Sequence, residues 1–319
     1  MSSRRWLTAM FVTIYSFGML LFARMYGTSC RLAIIGTMVL FCISTGSVAR
    51  AQAHLVWSDE FNGEHSVPDL ANWKFEVGGG GWGNHELETY CAPGSGVAPC
   101  VAAKPNVVIT GGYLHVVARR NAAGKWTSAR MTSKGLKSFQ YGRIEARIQI
   151  PAGPGVWPAF WMLGDDVGQR PWPACGELDI MENVGKEPGK IHGSVHGTGF
   201  TGTPLTTVAT LQGDAEFAAG FHTYGMIWSP GRVQYYVDDP ARPYATYTRA
   251  DLPPGAVWPF DDGRYFFVLN LAMGGDWPGP PAATTPATVE MLVDYVRVYQ
   301  DEQLSSVSAG AVSAGPAKR

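Results

Sequence analysis

From about residue 54 to residue 300 the chain is a succession of brief apolar or alternating runs, broken by Gly, Pro, Asn and Asp. That rhythm leaves no room for a long helix. The segments "YLHVVARR", "YGRIEARIQI", "VWPAFWML", "KIHGSVHG", "HTYGMIWS", "VQYYVDD", "YFFVLNLAM" and "VEMLVDYVRVY" read as strands, with no 3.6-residue period between them. Strands at this spacing predict an all-β protein built as a sandwich of two antiparallel sheets. The composition agrees: 39 Gly, 11 Trp and 13 Tyr against 16% charged residues suit tight turns and aromatic-lined surfaces. The pattern is continuous enough for one domain over 54–301, and no internal repeat is visible. A net charge of -1 gives no general attraction to nucleic acid or an anionic membrane, so a neutral partner is expected, met by a monomer.

The two ends carry different signals. Residues 32 to 42, "LAIIGTMVLFC", follow Arg31 and precede "STGSVARAQA", which ends in the small-x-small pattern Ala51-Gln52-Ala53. Residues 1–53 are therefore read as a secretory signal region. A second apolar run, 6 to 23, follows Arg4 and Arg5 and has borderline length for a membrane span. A start at Met25 would leave a signal of ordinary proportions; a membrane anchor is the alternative. Residues 302–319 are small and polar and are expected to be disordered. Export removes Cys30 and Cys42 and makes disulfides permissible. Cys91 and Cys100 would then staple a Pro/Gly-rich loop and leave Cys175 as a buried thiol, and no zinc spacing occurs.

The chemistry concentrates in residues 176 to 182, "GELDIME". On a helix, Glu177 and Glu182 would point about 140° apart. On a strand, Glu177 and Asp179 share one face while Leu178 and Ile180 share the other, and strict alternation would send Glu182 to the wrong side. One extra residue, a β-bulge at Ile180 or Met181, brings Glu182 back to the face of Glu177 and Asp179. The competing reading is an amphipathic edge strand with a solvated acidic face. If the bulge forms, Glu177 and Glu182 lie about four strand positions apart, roughly 13 Å between Cα atoms, a gap that long side chains can narrow. A carboxylate separation near ~5.5 Å suits a retaining glycosidase. Asp179, between them, can hold Glu177 and help keep Glu182 protonated.

The flanking segments extend this pattern. "GPGVWPAFWMLGDD", "RPWPACGELDIMENVG", "IHGSVHGTGFTG", "FHTYGMIWSPGRVQYYVDD", "NLAMGGDWPG" and "VDYVRVY" occur in order, and together they make the chain similar to glycoside hydrolase family 16 from about Leu55 to Tyr299. "GELDIME" resembles the family's bulged E-x-D-x-x-E signature. With "GWGNHELETY" over 81 to 90, it resembles the endo-β-1,3-glucanase, or laminarinase, branch; unbulged E-x-D-x-E is typical of lichenases and xyloglucan transferases. The resemblance implies a β-jelly roll with a concave sugar cleft, Glu177 as nucleophile, Glu182 as acid/base and Asp179 as assistant. It also implies a β-glucan substrate, with transglycosylation, mixed-linkage cleavage and non-catalytic glucan binding as alternatives.

Pyranose rings need aromatic faces and planar hydrogen-bonding groups. Trp82, Trp161, Trp172 and Trp277 lie in matched segments as candidates for the first, and Trp57, Trp73, Trp157 and Trp228 are expected in the core. Asn84 and Arg130 resemble family contacts around the reacting sugar, and His196 is placed to reach the carboxylates or to serve the strand. His85 stands where laminarinases often carry Asn. No cofactor is expected for catalysis. The family often holds one structural calcium ion, whose ligands would correspond to Glu60, Gly112 and Asp294, and oxygen ligands suit that metal.

Overall fold

The computed structural model describes residues 53–213 and 215–301. The expected signal region up to residue 52 and the tail from residue 302 lie outside them. In chain order the strands are β1 (His54–Asp59), β2 (Lys74–Glu76), β3 (Glu88–Tyr90), β4 (Val107–Thr110), β5 (Tyr113–Arg120), β6 (Trp126–Ser128), β7 (Arg130–Thr132), β8 (Gly142–Gln149) and β9 (Val156–Gly164). They continue as β10 (Glu177–Glu182), β11 (Lys190–His196), β12 (Thr206–Thr210), β13 (His222–Ser229), β14 (Arg232–Val237), β15 (Ala245–Thr248), β16 (Tyr265–Met273) and β17 (Thr288–Gln300). Among the described residues, helix is limited to two single 3₁₀ turns, Phe217–Ala219 and Arg249–Asp251.

A ten-stranded sheet runs β15-β14-β13-β8-β17-β5-β6-β3, with β1 on β17 and β4 on β5; a seven-stranded sheet runs β12-β11-β10-β9-β16-β7-β2. The sheets pack face to face as a jelly-roll-like sandwich, β10 against β13 and β16 against β5 and β6. Pairing is antiparallel except between β3 and β6. All eight segments read as strands are strands; the shorter β2, β3 and β7 are set by long-range pairing, β6 and β15 fold back on the strands just before them, and all five carry too few residues to show a period.

Alternation places the core. On β8, Ile144, Ala146 and Ile148 are fully buried while Arg143 and Arg147 face outward. On β9, Val156, Phe160 and Met162 enter the same core, which leaves Trp157, Ala159, Trp161 and Leu163 on the opposite, concave face. Each large apolar side chain buried this way contributes about 1.5–3 kcal/mol. Trp73 and Trp228 are fully buried as expected, each with its indole N–H satisfied, by Asp59 Oδ2 at 2.8 Å and by the Phe260 carbonyl at 3.1 Å. Trp57 packs against the core, stacked on Phe267. Cys91 and Cys100 form a disulfide and Cys175 is a buried free thiol.

Candidate active site

Strand β10 of the concave sheet, between β11 and β9, carries the carboxylates, and its register shows how they come to share a face. Glu177 lies opposite Leu163 of β9 and His196 of β11, and Asp179 opposite Trp161 and Ser194. Beyond Asp179, Met181 is matched to Phe160 and Glu182 to Ala159, so Ile180 has no partner of its own. On the other side three steps from Asp179 to Glu182 span two from Ser194 to His192. This is the expected bulge. Ile180 and Met181 both enter the core, at 1% and 0% exposure, while Glu177, Asp179 and Glu182 all line a concave cleft of about 660 Å³.

The site is dry enough to perturb all three acids. Glu177 is pushed up to about 8, first by burial and then by the charge of Asp179, against the pull of His196, Arg130 and the Trp172 indole. Burial alone lifts Asp179 to about 8. Glu182 is raised well above the usual carboxylate range by burial, then by Asp179 and Glu177; His196 and the Trp157 N–H oppose this.

The expected second partner of Glu177 is arranged differently. Asp179 makes no hydrogen bond to Glu177; its Oδ2 faces His196 Nε2 at 3.0 Å, and His196 Nε2 is 3.9 Å from Glu177 Oε1. His196 thus faces both acids, and one of its ring nitrogens and one oxygen each of Glu177 and Asp179 all lie within 4.8 Å of one another.

The sugar-contact candidates converge on the same cleft: Trp82, Asn84, Arg130, Trp161, Trp172 and Trp277 all line it. Arg130 is sandwiched between two of them, 5.0 Å from the Trp82 ring centroid and 4.8 Å from that of Trp161, and Glu76 binds its Nε. Trp172 is half exposed at the rim. Trp277 packs edge-on against Trp157 and His192, at 5.4 and 4.8 Å. The turn bearing Asn84 is clasped to the Trp277 loop: the Asp276 N–H donates to the Asn84 carbonyl at 2.9 Å, and His85 Nδ1 pairs with Asp276 Oδ2 at 2.9 Å. Gly275 makes this approach possible, because at φ +116° a Cβ there would lie 2.9 Å from the Asn84 oxygen.

One expectation is corrected. Trp157, read as core, faces the cleft and donates from Nε1 to Glu182 Oε1 at 3.1 Å. It shares the odd-numbered face of β9 with Trp161, a parity visible in the sequence once the core face is known. Glu86, His192 and Asn270 also line the cleft and were not singled out. Asn270 holds Trp161 Nε1 at 2.8 Å, but it sits in a strand whose every residue is buried and whose sequence shows no polar face.

Glu60, Gly112 and Asp294 lie elsewhere, on the ten-stranded sheet. Asp59 pairs with Val296 and Leu114 with Val293, which brings the end of β1, the β4–β5 turn and Asp294 into one neighbourhood. The resemblance would draw two backbone carbonyls and the Asp294 carboxylate from this neighbourhood, oxygen ligands of the kind calcium prefers. The Asp294 carboxylate is held by Arg147 at 2.6 Å and that of Glu60 by Arg297 at 2.7 Å, so an ion would have to draw Asp294 away from Arg147.

Comparison with known proteins accords with this geometry. The profile of "Glycosyl hydrolases family 16" matches residues 100–297. A beta-glucanase of Rhodothermus marinus is 36% identical over 286 residues, covering 85% of this chain and 94% of that protein. Among solved structures, the catalytic domain of an endo-1,3-beta-glucanase (laminarinase) from Thermotoga petrophila RKU-1 superposes with a TM-score of 0.70 at 37% identity, covering 79% of this chain and 99% of that one. The endo-beta-1,3-glucanase from Pyrococcus furiosus gives 0.69 at 40% identity, covering 79% and 95%. A bulged strand that turns three carboxyls into one aromatic-lined cleft, on a sandwich shared with these enzymes, places the chain in glycosyl hydrolase family 16.

Proposed function

We propose that this protein is an exported retaining endo-glycosidase that hydrolyses β-1,3-glucan. The observation that carries the reading is the bulge between Asp179 and Glu182, which turns Glu177 and Glu182 into one cleft. Glu177 is the nucleophile, Glu182 the acid/base and Asp179 their assistant. Glu177 attacks the anomeric carbon as Glu182 gives its proton to the departing glycosidic oxygen, leaving a glycosyl ester on Glu177. Glu182, now ionised, takes a proton from water, and the water displaces Glu177 with a second inversion.

The electrostatics support this division of labour. Glu182 is the group that burial and two neighbouring charges keep protonated, as an acid requires. Glu177 is itself lifted to about 8 by burial and Asp179, and Arg130 and His196 pull the other way, toward the ionised form that a nucleophile needs. Trp157 orients the acid through its N–H, and Trp82, Trp161, Trp172 and Trp277 offer apolar faces for sugar rings. Asn84, Arg130 and His196 supply polar groups beside them. The Cys91–Cys100 disulfide supports an oxidising compartment, in keeping with the signal-like N-terminus.

The test is incubation of the chain from His54 onward with laminarin, lichenan, agarose and xyloglucan, with identification of the sugars released. Laminarin should be cut fastest, to a range of oligosaccharides. Faster release from agarose would overturn the substrate assignment, and longer products at high oligosaccharide concentration would assign a transglycosylase instead.

A further inference from the structure

A second pair of acids lies at and beneath the cleft wall, Glu86 lining the cleft and Glu88 behind it, in the "GWGNHELETY" segment. Glu88 is 2% exposed and Glu86 8%, and the two acids are close enough for Glu86 to act on the Glu88 carboxyl. Two carboxyls side by side can hydrogen-bond only if one of them carries a proton. Glu88 Oε2 accepts the Met273 N–H at 2.7 Å, while its Oε1 is buried and meets no N–H or O–H among the described residues. As a carboxylate, Oε1 would be a buried anion without a donor; as a hydroxyl, it becomes the donor that Glu86 receives.

From Glu86 the hydrogen bonds run outward. Its Oε1 accepts from Asn84 Nδ2 at 3.1 Å and its Oε2 from the Tyr90 hydroxyl at 3.0 Å. The Tyr90 oxygen in turn accepts from Asn270 Nδ2 at 3.2 Å, and Asn270 holds Trp161. Three cleft-lining side chains, Asn84, Asn270 and Trp161, thus hang from one carboxyl pair. We infer that Glu88 holds a proton it donates to Glu86, and that this pair positions Asn84, Asn270 and Trp161 to grip the sugar on the Arg130 side of the cleft. Glu86 and Glu88 are positioning residues, acting through Asn84, Asn270 and Trp161. The inference rests on the proposed glucanase reading.

The ionisable groups facing Glu88 are Glu86 from the preceding loop and Tyr90 from its own strand; Arg130 on β7 reaches Tyr90, while β16 presents only Asn270 and the Met273 N–H. Among the described residues no cation pairs with Glu88, and burial followed by Glu86 raises its carboxyl to about 8. Above that pH the pair becomes two apposed anions and the grip should loosen.

The experiment is laminarin kinetics from about pH 6.5 to 9.5 with wild type, Glu88→Leu and Glu88→Gln, together with infrared difference spectra of wild type minus Glu88→Gln. Losing one buried hydrogen-bond donor should raise KM about tenfold in Glu88→Leu near pH 6.5, with kcat moved less than about threefold. Glu88→Gln, whose amide can still donate, should restore most of that loss and abolish the wild-type rise in KM at alkaline pH. The difference spectrum at neutral pH should contain a protonated carboxylic acid band. If Glu88→Leu does not fold, the pH profiles of wild type and Glu88→Gln decide. An identical alkaline rise in those two, an unchanged KM in Glu88→Leu, or no acid band would overturn the inference. A wild type that leaves laminarin intact would refute the glucanase reading instead, and the infrared band still reports whether Glu88 holds its proton.

Discussion

The buried carboxyl of Glu177, the proposed nucleophile, should cost the folded chain stability in a pH-dependent way, and Glu177→Gln measures that cost. The Glu177 carboxyl rises from an ordinary value of 4.5 to about 8 on folding. Below pH 4.5 both folded and unfolded chains keep the proton, so no penalty arises. Between 4.5 and about 8 the unfolded chain releases a proton that the folded chain retains, and stability falls with each step upward. At about 1.4 kcal/mol per unit, the whole interval sets a ceiling of about 5 kcal/mol. The side chain is 19% exposed and faces Arg130 and His196, so a realistic share is about 1–3 kcal/mol. Glutamine keeps the shape and removes the charge. Urea unfolding should find Glu177→Gln more stable than wild type by that amount near pH 8.5, a rise in Tm of about 2–10 °C, and equal to it near pH 4.5. An equal or lower stability at pH 8.5, or the same gain at both pH values, would refute the electrostatic reasoning. Activity should be lost throughout.

Other consequences are local. Because the charge of Asp179 raises the proton affinity of Glu182, Asp179→Asn should move the alkaline limb of kcat/KM to lower pH; an unmoved or raised limb would remove Asp179 from its assisting role. Trp157→Phe removes the N–H that Glu182 Oε1 accepts and should lower kcat about tenfold while KM changes little, as steady-state kinetics on laminarin will read. Deleting Ile180 leaves E-L-D-M-E, in which plain alternation keeps the last glutamate facing the cleft, at a cost of about 2–5 kcal/mol for the lost core side chain. Its activity should exceed that of Glu182→Ala; a folded deletion variant as inactive as Glu182→Ala would show that the bulge does more than set the face.

What could be read from the sequence, and what could not, follows the range of the interactions. Alternation is local, so the strands from "YLHVVARR" to "VEMLVDYVRVY" and the misfit of Glu182 were legible; the misfit left a bulge and a solvated edge strand both open, and the flanking segments favoured the bulge. Which side of β9 meets the core is decided by the facing sheet. "VWPAFWML" is apolar on both sides, and Trp157 was therefore placed in the core although it shares a face with Trp161. Asn270 was hidden for the same reason, as one polar residue in a wholly buried strand. Glu86 and Glu88 sit where a short strand joins the sheet edge by parallel pairing with β6, a contact with no local trace. The clasp between His85 and Asp276 joins residues 191 positions apart, and no spacing rule reaches that far.

The central claim is that Glu177 and Glu182 share one cleft as nucleophile and acid. It is tested most directly by trapping the glycosyl-enzyme with a 2-fluoro β-1,3-glucosyl donor bearing a good leaving group, then mapping the labelled peptide by mass spectrometry. The account predicts a single ester on Glu177, formed in wild type and in Glu182→Ala alike because the leaving group needs no proton. A label on Glu182 or any other residue, or no label together with an α-anomer as the first product by NMR, would contradict it.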